Sequence, residues 1–256
     1  MLVTALTNND RHGRQALGVL AAVAVLLALC AVSVLTVPGP DSASAARAKL
    51  IGKTKGKARS GCPTPEDECQ AVGRLTGFQA RATGAKNPFV VRRSGTLVGW
   101  SVDLTSRPKP SQRRAFGKLY RHKRLGTAPT ARIAILKKRR GKKYALKSQS
   151  ALVDLTDHLG ERPIITLNNP LRINKGDIVA LTIPTWVSSF AVGVPARQNV
   201  WRASRAGNAC EVGTSGVPKQ NLKKSKPQED EGSSRSYGCV YRGARLLYWG
   251  YYVPGS

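Results

Sequence analysis

Asp177–Ile183 reads DIVALTI and Leu246–Val253 reads LLYWGYYV. Strict alternation of apolar and polar residues would leave each stretch one face for solvent. Neither stretch alternates, so both are expected to be central strands covered on both faces. Working outward from them, short strand-like runs recur at Ala71–Gln79, Leu97–Leu104, Ala131–Leu136, Lys143–Leu146, Ser150–Leu155, Pro163–Leu167, Leu171–Ile173, Asn199–Ser204 and Tyr237–Tyr241. Turn residues separate them: Gly141, Asn168-Asn169-Pro170 and Asn174-Lys175-Gly176-Asp177. Strands following strands, with no regular alternation of strand and helix, indicate an all-β domain, a β-sandwich of jelly-roll-like type. One helix is expected over Ser111–His122, capped by Ser111, with Phe116, Leu119 and Tyr120 on one face. Trp249 and Tyr251, at alternate positions of an apolar strand, are expected in the core. Lys219–Ser234 is polar and charged and reads as a mobile loop.

The charge balance is one-sided. Forty-two Lys and Arg face fourteen Asp and Glu, a net charge of +28, and Leu104–Val153 holds sixteen of the cations and no acid. Lys137–Lys143 (KKRRGKK) places Lys137, Lys138, Arg139, Arg140, Lys142 and Lys143 around one glycine between two strand-like runs, so it is expected at a hairpin tip. A cationic tip attracts polyanions at long range; the alternative is a solvated turn that resists aggregation. Arg113, Arg114, Lys118 and Arg121, on the expected helix, add a second basic cluster.

The N-terminus bears on the compartment. Residues 1–15 are a basic n-region with Arg11 and Arg14, and residues 16–37 are an uncharged apolar run long enough to span a bilayer as a helix. It is either an uncleaved signal-anchor or a signal peptide cut near Ala45, within Ala43-Ser44-Ala45. Residues 38–60 read as a basic flexible linker and residues 62–256 as the folded domain. The linker's lysines argue for a cytoplasmic domain by the positive-inside rule, but long domains translocate largely regardless of charge. Beyond the apolar run stand Cys62, Cys69, Cys210 and Cys239. An even number indicates two disulfides outside the cytoplasm, and the shortest loops pair Cys62 with Cys69 and Cys210 with Cys239. The domain is thus expected outside a single-pass anchor, or secreted.

Catalytic signals are sparse. The chain has no G-x-S-x-G elbow, H-E-x-x-H, Walker A or G-x-G-x-x-G motif, and its three histidines and lack of C-x2-C give no metal-ligand pattern. No cofactor and no metal are expected. Asp154-Leu155-Thr156-Asp157-His158 is an acid/His grouping best read as a strand end. Carboxylate pairs for glycoside hydrolysis are Asp103 with Asp154 or Asp177 with Glu211, and nothing in the sequence selects either. Trp186, after Pro184-Thr185 at a strand end, is the aromatic residue expected to be exposed for stacking on sugars.

Leu171–Trp186 (LRINKGDIVALTIPTW), with Val200–Arg205 (VWRASR) and Ala244–Trp249 (ARLLYW), resembles uncharacterised exported β-sandwich proteins of high-GC Gram-positive bacteria over most of residues 70–253. The resemblance implies the fold and an exported location, and no activity or site residues. The function expected is a non-enzymatic envelope protein, secreted or anchored in the membrane by residues 16–37. Its basic surface would bind anionic wall polymers, lipid head groups or glycans, with nucleic acid outside the expected partners. The alternative is a secreted glycan-active hydrolase or lyase on a jelly-roll scaffold.

Overall fold

The structure, a computed structural model, describes residues 48–54, 58, 60, 71–207, 210 and 225–255. The strands are β1 (Lys49–Ile51), β2 (Val72–Ala82), β3 (Ala85–Lys86), β4 (Gly95–Val102), β5 (Thr130–Lys138), β6 (Lys143–Gln149), β7 (Val153–Asp154) and β8 (Ile164–Ile173). They continue as β9 (Ile178–Val187), β10 (Phe190–Val192), β11 (Val200–Ala203), β12 (Ser234–Ser236), β13 (Cys239–Arg242), β14 (Ala244–Leu246) and β15 (Tyr248–Pro254). One α-helix, α1 (Pro110–Leu119), and a 3-10 turn at Thr156–His158 interrupt them. The fold is all-β. One sheet runs β1-β15-β4-β8; a larger one runs β12-β6-β5-β9-β2-β11-β13, with β3 on β2 and β7 on β5; β10 and β14 pair separately.

β9 is buried at every position, as its unbroken apolar run requires, and lies between β5 and β2. The two larger sheets meet in one core. Tyr248 of the smaller sheet donates its hydroxyl to the Val179 carbonyl of the larger at 3.0 Å, and its ring stacks on Phe89 at 4.2 Å. Leu75, Leu97, Trp100, Ile133, Ile135 and Leu181 are fully buried around this contact.

The second apolar stretch behaves differently. β14 and β15 break at Leu247, and β15 buries alternate residues, leaving Trp249, Tyr251 and Val253 half-exposed. Aromatic rings gain from partial burial while one face stays wet, so continuous hydrophobicity did not require two covered faces. Asn168-Asn169-Pro170 is no turn. It lies inside β8, at an edge of the smaller sheet, where the pairing slips between Leu97↔Leu171 and Gly99↔Thr166. An edge strand has no second neighbour needing the proline's missing N–H.

Two segments expected to be mobile are packed. In the linker, β1 pairs with β15, and Ile51 is buried. Ser60 hydrogen-bonds the buried Asp103 at 3.0 Å, and the buried Arg245 holds the Thr54 hydroxyl. The folded unit therefore begins before residue 62. In the expected loop, Ser225 and Gln228 are buried. The Gln228 amide N–H donates to Thr76 Oγ1 at 2.9 Å, and Nε2 donates to the carbonyls of Tyr144 at 3.1 Å and Ser233 at 2.7 Å. Oε1 accepts from the Tyr237 hydroxyl at 2.9 Å. Residues 219–224 lie outside the described residues.

Cys210 and Cys239 form the expected disulfide, with Cα atoms 5.3 Å apart. Cys62, Cys69 and the 16–37 segment lie outside the described residues, among which no helix is long and apolar enough to cross a membrane.

Candidate functional site

The helix that carries the first basic cluster starts one residue before the expected cap. Pro110 occupies the first helical position, where its missing N–H costs nothing, and Lys109 is the N-cap. The Gln112 side chain closes this end by accepting the Lys109 N–H at 2.7 Å. Ser111 is exposed within the first turn. On the other face Gly117 lies against Thr127. A Cβ there would stand 2.8 Å from Thr127 Cβ, so only glycine lets the helix approach this closely. Leu119 points away, 39% exposed, while Tyr120 is buried and donates its hydroxyl to the Ala71 carbonyl at 3.1 Å.

After the helix the chain reverses through a tight bridge, with His122 and Gly126 exchanging backbone hydrogen bonds at 2.9 and 3.0 Å. His122 Nδ1 accepts the N–H groups of Arg124 and Leu125, both at 3.3 Å, so this histidine shapes the turn. Helix and turn enclose a cleft of about 790 Å³. Arg113, Arg114, Lys118 and Arg121 line it with Thr127, Pro129 and Leu159, and among the described residues no carboxylate or histidine lines it. Arg114 and Lys118 stand at helical i, i+4 positions, which puts their cations on one side, and Arg121 follows just past the helix end. Cations gathered around a cleft suit anionic oxygens.

Trp186 is not an exposed platform. It is 1% exposed at the cleft floor, donates its indole N–H to the Thr127 carbonyl at 2.8 Å, and packs on Phe116 with ring centroids 5.4 Å apart. β9 runs on through Thr185 to Val187, so the strand end expected after Pro184 is still core. Trp249 and Tyr251, on the outer face of the smaller sheet, are half-exposed instead, with the Arg162 guanidinium 5.0 Å from the Trp249 ring centroid.

Lys137–Lys143 forms the expected tip of the β5–β6 hairpin. Arg139 N–H donates to the Lys143 carbonyl at 2.9 Å, and Gly141 takes the turn with φ +66°. All its cations are exposed. The tip does not join the helix cluster. The cleft is lined by Thr127–Pro129, just before β5 begins, whereas the tip follows its end. Eight residue steps from Thr130 to Lys138 put about 26 Å between them.

A third group of cations went unnoticed in the sequence because the fold alone assembles it. Arg92, Arg93, Arg172 and Lys175 line a groove of about 800 Å³ with Ser94 and Gly255, again with no acid among the described residues of the lining. The nearby Asp177 is buried, takes Lys147 Nζ at 2.7 Å and accepts the Asn174 N–H at 2.8 Å.

The carboxylates weighed for catalysis are otherwise engaged. Asp103 is buried and accepts from Ser60, from the Thr105 N–H and hydroxyl, and from Arg162. Burial alone would raise its pKa, but the hydrogen bonds from Thr105 and the Arg162 cation outweigh it and hold the carboxyl below its usual value. Asp154 accepts the Thr156 N–H and hydroxyl at 2.9 and 2.6 Å, and His158 faces Glu161 at 3.6 Å, so the acid/His grouping braces a strand end. Glu211 lies outside the described residues. Among the described residues no cluster of His, Cys, Asp and Glu could hold a metal ion. Comparisons of the chain with protein-family models, with curated proteins and with solved structures returned no match.

Proposed function

We propose that the protein is a non-enzymatic binder of anionic polymers at the cell envelope, held at or exported through the membrane by residues 16–37. The domain is read as a sandwich of jelly-roll type lying outside the membrane. One observation carries the binding reading: four cations converge on the α1 cleft, and among the described residues no carboxylate or histidine lines it. A glycan hydrolase needs a cleft with a pair of acids. The far groove and the cavity beside Trp100 are also lined without one. The export-type N-terminus, the resemblance to exported β-sandwich proteins and the Cys210–Cys239 bond support the compartment.

The test is co-sedimentation of the full chain with an insoluble wall polymer bearing phosphate groups. Four neutralised phosphates, at the single-strand value of ~0.7 per contact, give a log–log salt slope of about −3, or about 50-fold weaker binding between 50 and 200 mM salt. Replacing Arg113, Arg114, Lys118 and Arg121 by Gln is expected to flatten that slope. Binding that is unchanged by salt or by these substitutions overturns the reading.

A further inference from the structure

The far groove and the hairpin tip belong to one end of the molecule. Leu136, next to the tip, pairs with Ile178 at the start of β9, and Val90 bridges to Ile178 from the other side. Val91 N–H donates to the Asp177 carbonyl at 2.8 Å, and Lys175 N–H to Ser94 Oγ at 3.0 Å. Arg92, Arg93, Arg172 and Lys175 therefore stand at the same end as Lys137–Lys143. The α1 cleft stands at the other end, over Trp186 near the close of β9. From Ile178 to Trp186 is eight residue steps, about 26 Å.

That distance is about three Debye lengths at physiological salt, where screening acts over ~8 Å. The two ends therefore present separate fields. Described acids stand between them: Glu229 pairs with Arg132, which lies opposite Thr182 in mid-β9, and Glu231 accepts the Gln149 N–H at the end of β6. Asp154 and Asp157 flank the α1 cleft without entering its lining.

Resting on the polyanion reading above, we infer that the protein is bivalent. One molecule holds two linear phosphate-bearing polymer chains, one at the α1 cleft and one at the end formed by the far groove and the hairpin tip, and so cross-links them. A chain shorter than the span between the ends occupies one site without cross-linking. Excess polymer gives each site its own chain and dissolves the network.

Turbidity tests this with the full chain in a non-ionic detergent, using long-chain inorganic polyphosphate and, as the short probe, triphosphate. Expected is a bell-shaped rise in turbidity with polyphosphate and none with triphosphate, which still competes for binding. Two variants separate the ends: one replaces Arg113, Arg114, Lys118 and Arg121 by Gln, the other Arg92, Arg93, Arg172, Lys175 and the six cations of the tip. Each is expected to bind polyphosphate at 50 mM salt through its remaining end only, with weaker affinity and a flatter salt slope than the wild type, while losing at least 10-fold of the turbidity. All these side chains are exposed or half-exposed, so the fold should survive, as the near-UV circular dichroism will report. Full turbidity from either variant refutes bivalence, because one end, or self-association, then suffices. Wild-type binding without turbidity also refutes bivalence while leaving the binding function intact, whereas no binding at all refutes the function itself.

Discussion

Replacing Gln228 by Leu removes the hub that holds residues 225–236 against the larger sheet while keeping side-chain volume nearly constant. The change leaves the Tyr237 hydroxyl, fully buried, without the Gln228 Oε1 acceptor, and takes a donor from the Tyr144 carbonyl. The Ser233 carbonyl keeps the Leu146 N–H at 3.0 Å, so it adds little. Tyr237 keeps its hydrogen bond with Thr76 and Tyr144 keeps its pairing with Arg235 of β12, so each lost bond costs about 1 kcal/mol. A loss of about 2 kcal/mol is expected, and at ~2–4 °C per kcal/mol for a domain of this size the Tm falls by about 4–8 °C. Thermal unfolding followed by circular dichroism measures it. The double variant Gln228→Leu with Tyr237→Phe removes the Tyr237 hydroxyl and should recover about 1 kcal/mol relative to additivity. Trypsin adds a local readout: Arg235 is half-buried in β12, paired with β6, so native cleavage at Arg235–Ser236 should be slow and should accelerate in the variant. A Tm within about 2 °C of wild type, with unchanged cleavage, would refute the packed arrangement of this segment.

Asp103 gives a pH prediction. Its folded carboxyl titrates below the ~3.9 of an unfolded aspartate, so the stability it contributes is present above that value and is lost as pH falls through the folded pKa. Asp103→Asn should lower Tm at pH 7 and much less at pH 3; equal losses at both would exclude the charge as the cause. Gly117→Val places a branched side chain where Thr127 already stands 2.8 Å from a Cβ. It should cost about 1–3 kcal/mol by overpacking and weaken polyphosphate binding, and unchanged binding would detach the helix from the site. Cys239→Ser opens a bond spanning 29 residues, worth roughly 3–4 kcal/mol in the chain-entropy model. A reductant should lower the Tm of the wild type clearly more than that of the variant.

Fold class, most strands, the hairpin tip and the Cys210–Cys239 bond were legible because each rests on local signals: period, turn residues, spacing. What failed depends on partners distant in sequence. Residues 225–236 are polar, and polarity reads as exposure. Yet Gln228 is buried because Thr76, Tyr144 and Tyr237 satisfy its amide groups, and sequence distances of 152 and 84 residues hide the first two. Ser60 and Thr54 are anchored in the same way by Asp103 and Arg245. Trp186 and Trp249 exchange roles because exposure is decided by what packs on a strand: α1 covers Trp186, and nothing covers the outer face of β15 completely. The cations of α1 were legible as a cluster, since helical spacing is local. The far groove was not, because Arg92 and Arg172 meet only through the pairing of β4 with β8 and the loops beyond it.

The placement of acids gives the charge its final consequence. Asp103 is joined to Arg162, Asp177 to Lys147 and Glu229 to Arg132, and each of these carboxylates is buried or partly buried. Among the described residues no carboxylate lines the α1 cleft or the far groove, so like charges repel within the cleft and within the groove and tip. Self-repulsion of this kind destabilises the compact state, and salt relieves it. The same salt weakens the three ion pairs, of which two have a partner less exposed than a tenth and are screened little. Repulsion among exposed cations is therefore the larger salt-sensitive effect. Raising NaCl from 20 to about 300 mM, which shortens the screening distance from over 20 Å to under 6 Å, should raise Tm by a few degrees while polymer affinity falls. Stability and binding then move in opposite directions along one axis. If Tm instead falls with NaCl, the ion pairs outweigh the repulsion, and the ends of the molecule do not carry the unbalanced charge on which binding and cross-linking both depend.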